Sequence, residues 1–380
     1  MKNQFPTQLS QKLAARQSAD AFRSLPAQTR LIDFSSNDYL GLAQNASIFN
    51  QAHEFLLGED LLQNGATGSR LISGNYRLYE TVERGIANFH DSPAALLFNS
   101  GYDANLGFFS SVPQRGDIIL YDELCHASIR DGIRLSAAKA YKFPHNDVES
   151  LEGLLRRHPG QTIYVATESV FSMDGDSPNL EEMVLVCEKY GAHLIVDEAH
   201  ALGVSGDKGE GIVQMLGFTD RVFARIMTFG KALGCHGAAV LGSEELRNYL
   251  VNFARSFIYT TGLPPHSLAT ISVAYHYLES DKKPQSELRE NVNFFNQEKA
   301  RLGLKPVFVR SKSAIQSAII PGNEKAKATA LALQSGGFDV RAILSPTVPA
   351  GQERLRICLH AYNTETEISA LLKKLQQLLF

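Results

Sequence analysis

The sequence is short of the features that mark several protein classes. Its 380 residues hold four cysteines, Cys125, Cys187, Cys235 and Cys358, widely scattered and with no CxxC pair. That spacing gives no disulfide framework and suits a reducing compartment, so a cytoplasmic place is expected. No run reaches the roughly 18 consecutive apolar residues that a membrane span requires. A formal net charge of −3 leaves no electrostatic footprint for nucleic acid. HExxH, GxSxG and GxGxxG are absent, so zincins, serine hydrolases and dinucleotide enzymes lack their signatures. Asp174-Gly175-Asp176 is too short for a calcium loop, and no metal site is expected. There are no tandem repeats and no low-complexity segments.

What is present is a long alternating pattern. The first thirty or so residues are basic, with Lys2, Lys12, Arg16, Arg23 and Arg30 against Asp20. No apolar core of a signal peptide follows, and an N-terminal helical arm is expected rather than a transit peptide. Beyond it, apolar runs read as strands at Ala94–Phe98, Asp117–Tyr121, Thr162–Ala166, His193–Val196, Val222–Phe229 and Ala238–Leu241. Continuous rather than alternating apolar strands fit a sheet buried on both faces. Between two of them Leu180, Met183, Val184 and Cys187 fall at helical spacing. Asn179 and Glu182 mark the start of that helix and Gly191 its end. Strand–helix alternation implies an α/β fold with a mostly parallel sheet between helices.

Past about residue 275 the texture changes. A polar helical stretch over 281–306 leads to strand-like segments at Ser313–Ile320, Phe338–Leu344 and Leu355–His360. Length and texture together give an arm at 1–45, a large domain at 46–275 and a smaller C-terminal α+β domain at 276–380.

In parallel sheets ligands bind beyond the carboxyl ends of the strands, so those positions carry the functional reading. Lys231 follows a buried strand inside a turn with two glycines, and a lysine amine can form a Schiff base with a carbonyl cofactor. Asp197 closes another strand. It either pairs with a protonated pyridine nitrogen or caps the next helix. His200, one turn on, is placed to reach a ring phenolate oxygen. Asn99-Ser100-Gly101-Tyr102 opens a helix whose N–H groups suit a phosphate, or forms a simple tight turn. His126 stacks on a planar ring or serves as an ordinary hydrogen-bonder. Asp197-Glu198-Ala199-His200 is also a helicase signature, which would need GxxxxGK[ST] for nucleotide phosphates. Here Arg225 holds the first glycine position and Ala232 follows the lysine, so that reading fails.

Taken together, these strand ends resemble fold-type I pyridoxal-phosphate (PLP) enzymes. Phe34-Ser35-Ser36-Asn37-Asp38-Tyr39-Leu40-Gly41-Leu42, Gly65-Ala66-Thr67-Gly68-Ser69-Arg70, Ser73-Gly74-Asn75, Asp197-Glu198-Ala199-His200 and Thr228-Phe229-Gly230-Lys231 resemble the α-oxoamine synthase family over nearly the whole chain. The resemblance implies a fold-type I PLP-dependent transferase, a homodimer with pyridoxal 5'-phosphate on Lys231. It implies that Asp197 meets the pyridinium, His126 stacks on the ring and His200 contacts the phenolate oxygen. Gly101, Tyr102 and Thr228 would hold the phosphate, with Ser172 near the ring. Arg356 would grip the amino-acid carboxylate, and Arg23, Asn37 and Thr347 would line the acyl-donor side. Pro346-Thr347-Val348-Pro349-Ala350-Gly351 with Arg354-Leu355-Arg356 points to the branch that joins L-alanine to a pimeloyl thioester in biotin synthesis. The donor would ride on CoA or on acyl carrier protein. Other branches, 2-amino-3-oxobutyrate CoA ligase and serine palmitoyltransferase among them, share the chemistry. A regulatory PLP-fold protein is the remaining rival, and retention of Lys231, Asp197 and Arg356 argues against it. One departure stands out: Leu344 occupies a position where relatives often carry arginine.

Overall fold

The computed structural model describes residues 5–25 and 30–380. Its strands are β1 (Ile32–Asp33), β2 (Ala94–Phe98), β3 (Ile118–Asp122), β4 (Lys139–Phe143), β5 (Ile163–Glu168), β6 (His193–Asp197), β7 (Ala224–Thr228), β8 (Ala238–Gly242), β9 (Ile315–Ile319), β10 (Phe338–Asp339), β11 (Arg341–Ile343) and β12 (Arg354–Cys358). The contacts divide the chain into two compact units. The larger takes Asn37–Ser172 and Ser177–Leu288; the smaller takes Met1–Ser36, Met173–Asp176 and Arg289–Phe380. The change of texture near 275 falls inside helix Pro265–Ser280, and the unit boundary comes later, within helix Lys283–Arg301.

The larger unit is built on a seven-stranded sheet in the order β2-β8-β7-β6-β5-β3-β4. β8 runs antiparallel to both neighbours, and the other pairs are parallel. Alternate residues of the central strands feed two separate cores. Ile119, Tyr164 and Ile195 pack with Phe108, Phe109, Ile129 and Leu250 on one face. Leu120, Val165 and Val196 pack with Leu151, Met183, Val184 and Cys187 on the other. Both faces being covered explains the continuous apolar runs. β4 was not legible as a strand. Lys139-Ala140-Tyr141-Lys142 is exposed, and lysines on a sheet edge discourage further pairing.

The chain steps outward from β3 to β4 and then returns to the other side of β3 with β5. Such a reversal opens a crevice beyond the strands' carboxyl ends. Helix Leu180–Lys189 forms as its signals require: Asn179 accepts from the Glu182 N–H, and its amide donates to the Glu182 carboxylate at 3.0 Å. Gly191 closes it at φ +64°, a conformation that favours glycine.

In the smaller unit β11, β12 and β9 form an antiparallel sheet, and β1 pairs in parallel with β10. The single strand expected over Phe338–Leu344 is two. At Val340 the N–H folds back to the Phe338 carbonyl, so β10 and β11 pair with different partners. Helix Thr7–Ser18 lies in the basic N-terminal stretch and buries no side chain. No helix among the described residues is long and apolar enough to cross a membrane.

Candidate active site

The carboxyl ends of β2, β3, β5, β6 and β7 carry a connected set of polar side chains in the larger unit. At β2, Ser100 caps helix Gly101–Ser111 by accepting the Asp103 N–H at 3.1 Å. Gly101 begins the helix so close to β7 that a Cβ there would lie 2.3 Å from Thr228 Oγ1. Glycine thus brings helix N–H groups up to the threonine hydroxyl, an arrangement suited to an anion. Tyr102 is 45% exposed and donates its phenol to Asp131 Oδ2 at 2.5 Å. Its backbone N–H, not its phenol, is what the helix start offers. Asn99 at the same strand end donates to Thr260 Oγ1 at 3.0 Å and to the Thr261 carbonyl at 2.8 Å.

β3 leads to His126, which caps helix Ala127–Leu135. Nδ1 of His126 accepts the Ser128 N–H at 3.2 Å and lies 2.8 Å from Ser128 Oγ. Ser128 Oγ in turn accepts from Asn105 Nδ2 at 3.1 Å, and Asn105 Nδ2 also donates to Asp197 Oδ2 at 2.8 Å. The network fixes the imidazole with Nδ1 as acceptor and ties its orientation to the carboxylate. Burial lowers the His126 pKa, against the pull of Asp197. Asp197 ends β6 with a second hydrogen bond, Oδ1 accepting the Ala199 N–H at 2.9 Å. Asn105 lies just beyond the Asn99–Tyr102 segment, on helix Gly101–Ser111, and was not singled out in the sequence. Its role appears once helix and strand are side by side, and its buried Oδ1 has no hydrogen-bond partner.

Beyond β7 the chain turns tightly through Lys231. Gly234 donates to the Lys231 carbonyl at 2.8 Å, at φ +63°. A Cβ on Gly234 would stand 2.1 Å from the Ala43 nitrogen, so the turn requires glycine. Lys231 Nζ lies 2.7 Å from His200 Nε2, and His200 Nδ1 lies 2.7 Å from Tyr39 Oη. Tyr39 donates to Asn37 Oδ1 at 3.2 Å. Three segments singled out in the sequence, Phe34–Leu42, Asp197–His200 and Thr228–Lys231, thus meet in one chain of hydrogen bonds, with Tyr39 its unforeseen link.

Glu168 ends β5 and was not singled out in the sequence. It is fully buried and accepts the His126 N–H at 2.6 Å. Burial, with the Asp197 charge adding and Lys231 opposing, pushes its carboxyl up to about 8. Glu198 is similarly raised to about 7 by burial, with Arg225 opposing. Glu198 does a structural task, accepting the Ile212 and Val213 N–H groups at 2.6 and 3.1 Å. Ser172 stands half-buried just past β5.

The remaining expected residues belong to the smaller unit. Arg356 is buried on β12 and donates to Cys358 Sγ at 3.0 Å. Arg354, two residues earlier on the same face, is ion-paired with Asp174. Arg23 donates to Thr347 Oγ1 at 3.1 Å, joining two residues expected on the acyl side. Arg341 is held by Asp339 through contacts of 2.8 and 3.1 Å.

A match to the aminotransferase class I and II family spans residues 29–375. The chain belongs to that family. An 8-amino-7-oxononanoate synthase of Emericella nidulans is 42% identical over 90% of this chain and 88% of its own length. A putative 8-amino-7-oxononanoate synthase of Halalkalibacterium halodurans is 39% identical over 92% of this chain and 87% of its own. Among solved structures, a serine palmitoyltransferase variant from S. paucimobilis with a bound PLP–myriocin aldimine superposes with TM-score 0.89. It is 28% identical, with 98% of this chain and 96% of that one covered. An 8-amino-7-oxononanoate synthase from Francisella tularensis gives TM-score 0.79 at 30% identity, covering 92% of this chain and 97% of that one. The α-oxoamine synthase likeness and the fold-type I transferase architecture are those of the family. Its cofactor here is PLP.

The residues present fit that cofactor. Gly101 leaves beside Thr228 a space that a side chain would fill. A buried carboxylate, Asp197, is oriented by two donors, and an amine, Lys231, lies on the neighbouring strand end with His200.

Proposed function

We propose that the chain is a PLP-dependent acyltransferase that condenses L-alanine with a pimeloyl thioester to give 8-amino-7-oxononanoate in biotin biosynthesis. The observation that carries the reading is the meeting of Lys231, His200 and the Asp197–Asn105–Ser128–His126 network at adjacent strand ends of a family fold, in a chain 42% identical to a synthase of that name. The reaction forms one C–C bond, from the alanine α-carbon to the thioester carbonyl carbon. It breaks the C–S bond, releasing the thiol, and the bond to the alanine carboxyl group, releasing CO₂.

When bound, PLP supplies an electron sink for the charge left at the alanine α-carbon. Lys231 Nζ holds the cofactor and, once released, takes the α-proton and returns one at the end. Asp197 would meet the pyridine nitrogen, and its two hydrogen bonds orient it. His126, locked through Nδ1, offers a flat ring face for stacking, and His200 answers the phenolate oxygen. Backbone N–H groups from Gly101 and Tyr102, with the Thr228 hydroxyl, receive the phosphate, and Ser172 stands near the ring. Arg356 presents a planar fork to the alanine carboxylate. Arg23, Asn37 and Thr347 line the acyl side.

The proposal includes a homodimer, a cytoplasmic location and a donor carried by CoA or acyl carrier protein. The test is a substrate matrix: alanine, glycine and serine against short, dicarboxylic and long acyl thioesters, read by thiol release. Alanine with the pimeloyl thioester should give the highest kcat/KM. Preference for glycine with a short acyl group, or serine with a long one, would assign the chain to another branch.

A further inference from the structure

Tyr39 has one hydroxyl proton, and its Oη stands between an amide oxygen and an imidazole nitrogen. It is buried, and its Oη touches both Asn37 Oδ1, at 3.2 Å, and His200 Nδ1, at 2.7 Å. The proton goes to Asn37 Oδ1, because an amide oxygen can only accept. Nδ1 of a neutral His200 must then carry its own hydrogen and donate it to Tyr39 Oη. That leaves Nε2 as an acceptor, and Lys231 Nζ, a donor, stands 2.7 Å from it. Each contact from Asn37 to Lys231 is satisfied by this one tautomer.

The same imidazole meets a different demand with cofactor bound. If His200 contacts the phenolate oxygen, Nε2 faces an anion and must donate. The ring hydrogen then belongs on Nε2, and Nδ1 becomes an acceptor. A hydroxyl that rotates can serve both states, accepting from Nδ1–H in one and donating to Nδ1 in the other. A backbone carbonyl or a carboxylate at this place would hold the Nδ1–H form only.

We propose that Tyr39 is a positioning residue that sets the tautomer of His200, holding it as Nδ1–H in the cofactor-free chain and as Nε2–H once PLP is bound. The second half rests on the functional reading above; the first rests on the hydrogen-bond chain alone.

The experiment is long-range ¹H–¹⁵N correlation spectroscopy on the full chain with ¹⁵N-labelled histidine, without and with PLP. His200 is assigned by the signals lost in His200→Asn. The wild type should show a protonated Nδ1 and an acceptor Nε2 without PLP, and the reverse with it. Because the Lys231 amine also favours an acceptor at Nε2, the cofactor-free comparison is made in a Lys231→Ala chain. There Nδ1–H should dominate while Tyr39 is present, and adding Tyr39→Phe should lose that dominance. In the otherwise wild-type chain, Tyr39→Phe should raise the dissociation constant for PLP about fivefold, the factor of one neutral hydrogen bond. Asn37→Ala in the Lys231→Ala chain is a second arm should Tyr39→Phe not fold. Removing the amide frees the Tyr39 proton for Nδ1, so Nε2–H should dominate there without PLP. Identical cofactor-free spectra for Lys231→Ala with and without Tyr39→Phe, or a wild-type tautomer unmoved by PLP, overturn the proposal. If PLP does not bind at all, the functional reading falls and the tautomer swap with it. The cofactor-free spectra then still decide whether Tyr39 sets the ring.

Discussion

Lys231 concentrates the chemistry in one side chain. Its amine already lies within 2.7 Å of His200 Nε2, at the carboxyl end of the buried sheet. Lys231→Ala should abolish the covalent cofactor adduct, read by hydride reduction and peptide mapping. It should also lower kcat by about 10²–10⁴, the range for a lost acid–base group. A reducible adduct on another residue would refute the assignment. Glu168 gives a pH signature of a different kind. Its carboxyl is raised to about 8 from an ordinary 4.5, chiefly by burial. The folded chain therefore keeps a proton that the unfolded chain releases between those values, and stability falls as pH rises through them. Glu168→Gln keeps the acceptor for the His126 N–H and removes the titration. From pH 6 to 9 its Tm should fall about 2 °C less than that of the wild type; parallel curves would show that Glu168 is ionised in the fold. Both residues lie at strand ends, where the sequence pattern directed attention. Lys231 stood out because glycines frame it, whereas Glu168 did not, because its place between Asp197 and His126 exists only after β3, β5 and β6 align.

At the scale of elements, the start of helix Gly101–Ser111 packs tightly against the end of β7. A Cβ at residue 101 would stand 2.3 Å from Thr228 Oγ1 and 3.4 Å from Thr228 Cβ. Gly101→Ala should weaken PLP binding about tenfold, since such overpacking costs roughly 1–3 kcal/mol. Adding Thr228→Ala removes the clashing oxygen and should restore thermal stability but only part of the affinity, because the hydroxyl is lost too. Equal affinities for Gly101→Ala and the wild type, by fluorescence titration, would mean that the helix start does not bear on the phosphate. Five of the seven strands of the large sheet, and its sixth at β8, were legible as continuous apolar runs because helices cover both faces. β4 escaped because an edge strand buries almost nothing. The small unit was legible as strand-like segments, but the break between β10 and β11 turns on one backbone hydrogen bond at Val340, which leaves no mark on composition.

At the scale of the whole molecule, two expectations bear on what the chain does with its partners. Tyr259 is 72% exposed, while Thr260 and Thr261 are tied to Asn99 beside the proposed phosphate site. That segment is suited to reach a neighbouring subunit, and sedimentation should find an active dimer; a fully active monomer would exclude it. The acyl donor is the second. Pimeloyl-CoA ends in a free carboxylate, whereas a methyl ester delivered on carrier protein ends neutral. A buried carboxylate needs a paired donor, because an unpaired buried charge is costly. Leu344 follows β11 and offers none. Of the two candidate arginines, Arg341 is already held by Asp339, and Arg23 is hydrogen-bonded to Thr347. Arg341 therefore gives up an ion pair if it turns to a substrate, which favours the neutral ester in the wild type. Leu344→Arg should raise kcat/KM for pimeloyl-CoA relative to the methyl ester on carrier protein. A charge-assisted contact is worth roughly 1.5–3 kcal/mol, so the ratio should move about tenfold or more. Efficient use of pimeloyl-CoA by the wild type, with no change of either substrate in Leu344→Arg, would show that residue 344 does not read the acyl terminus.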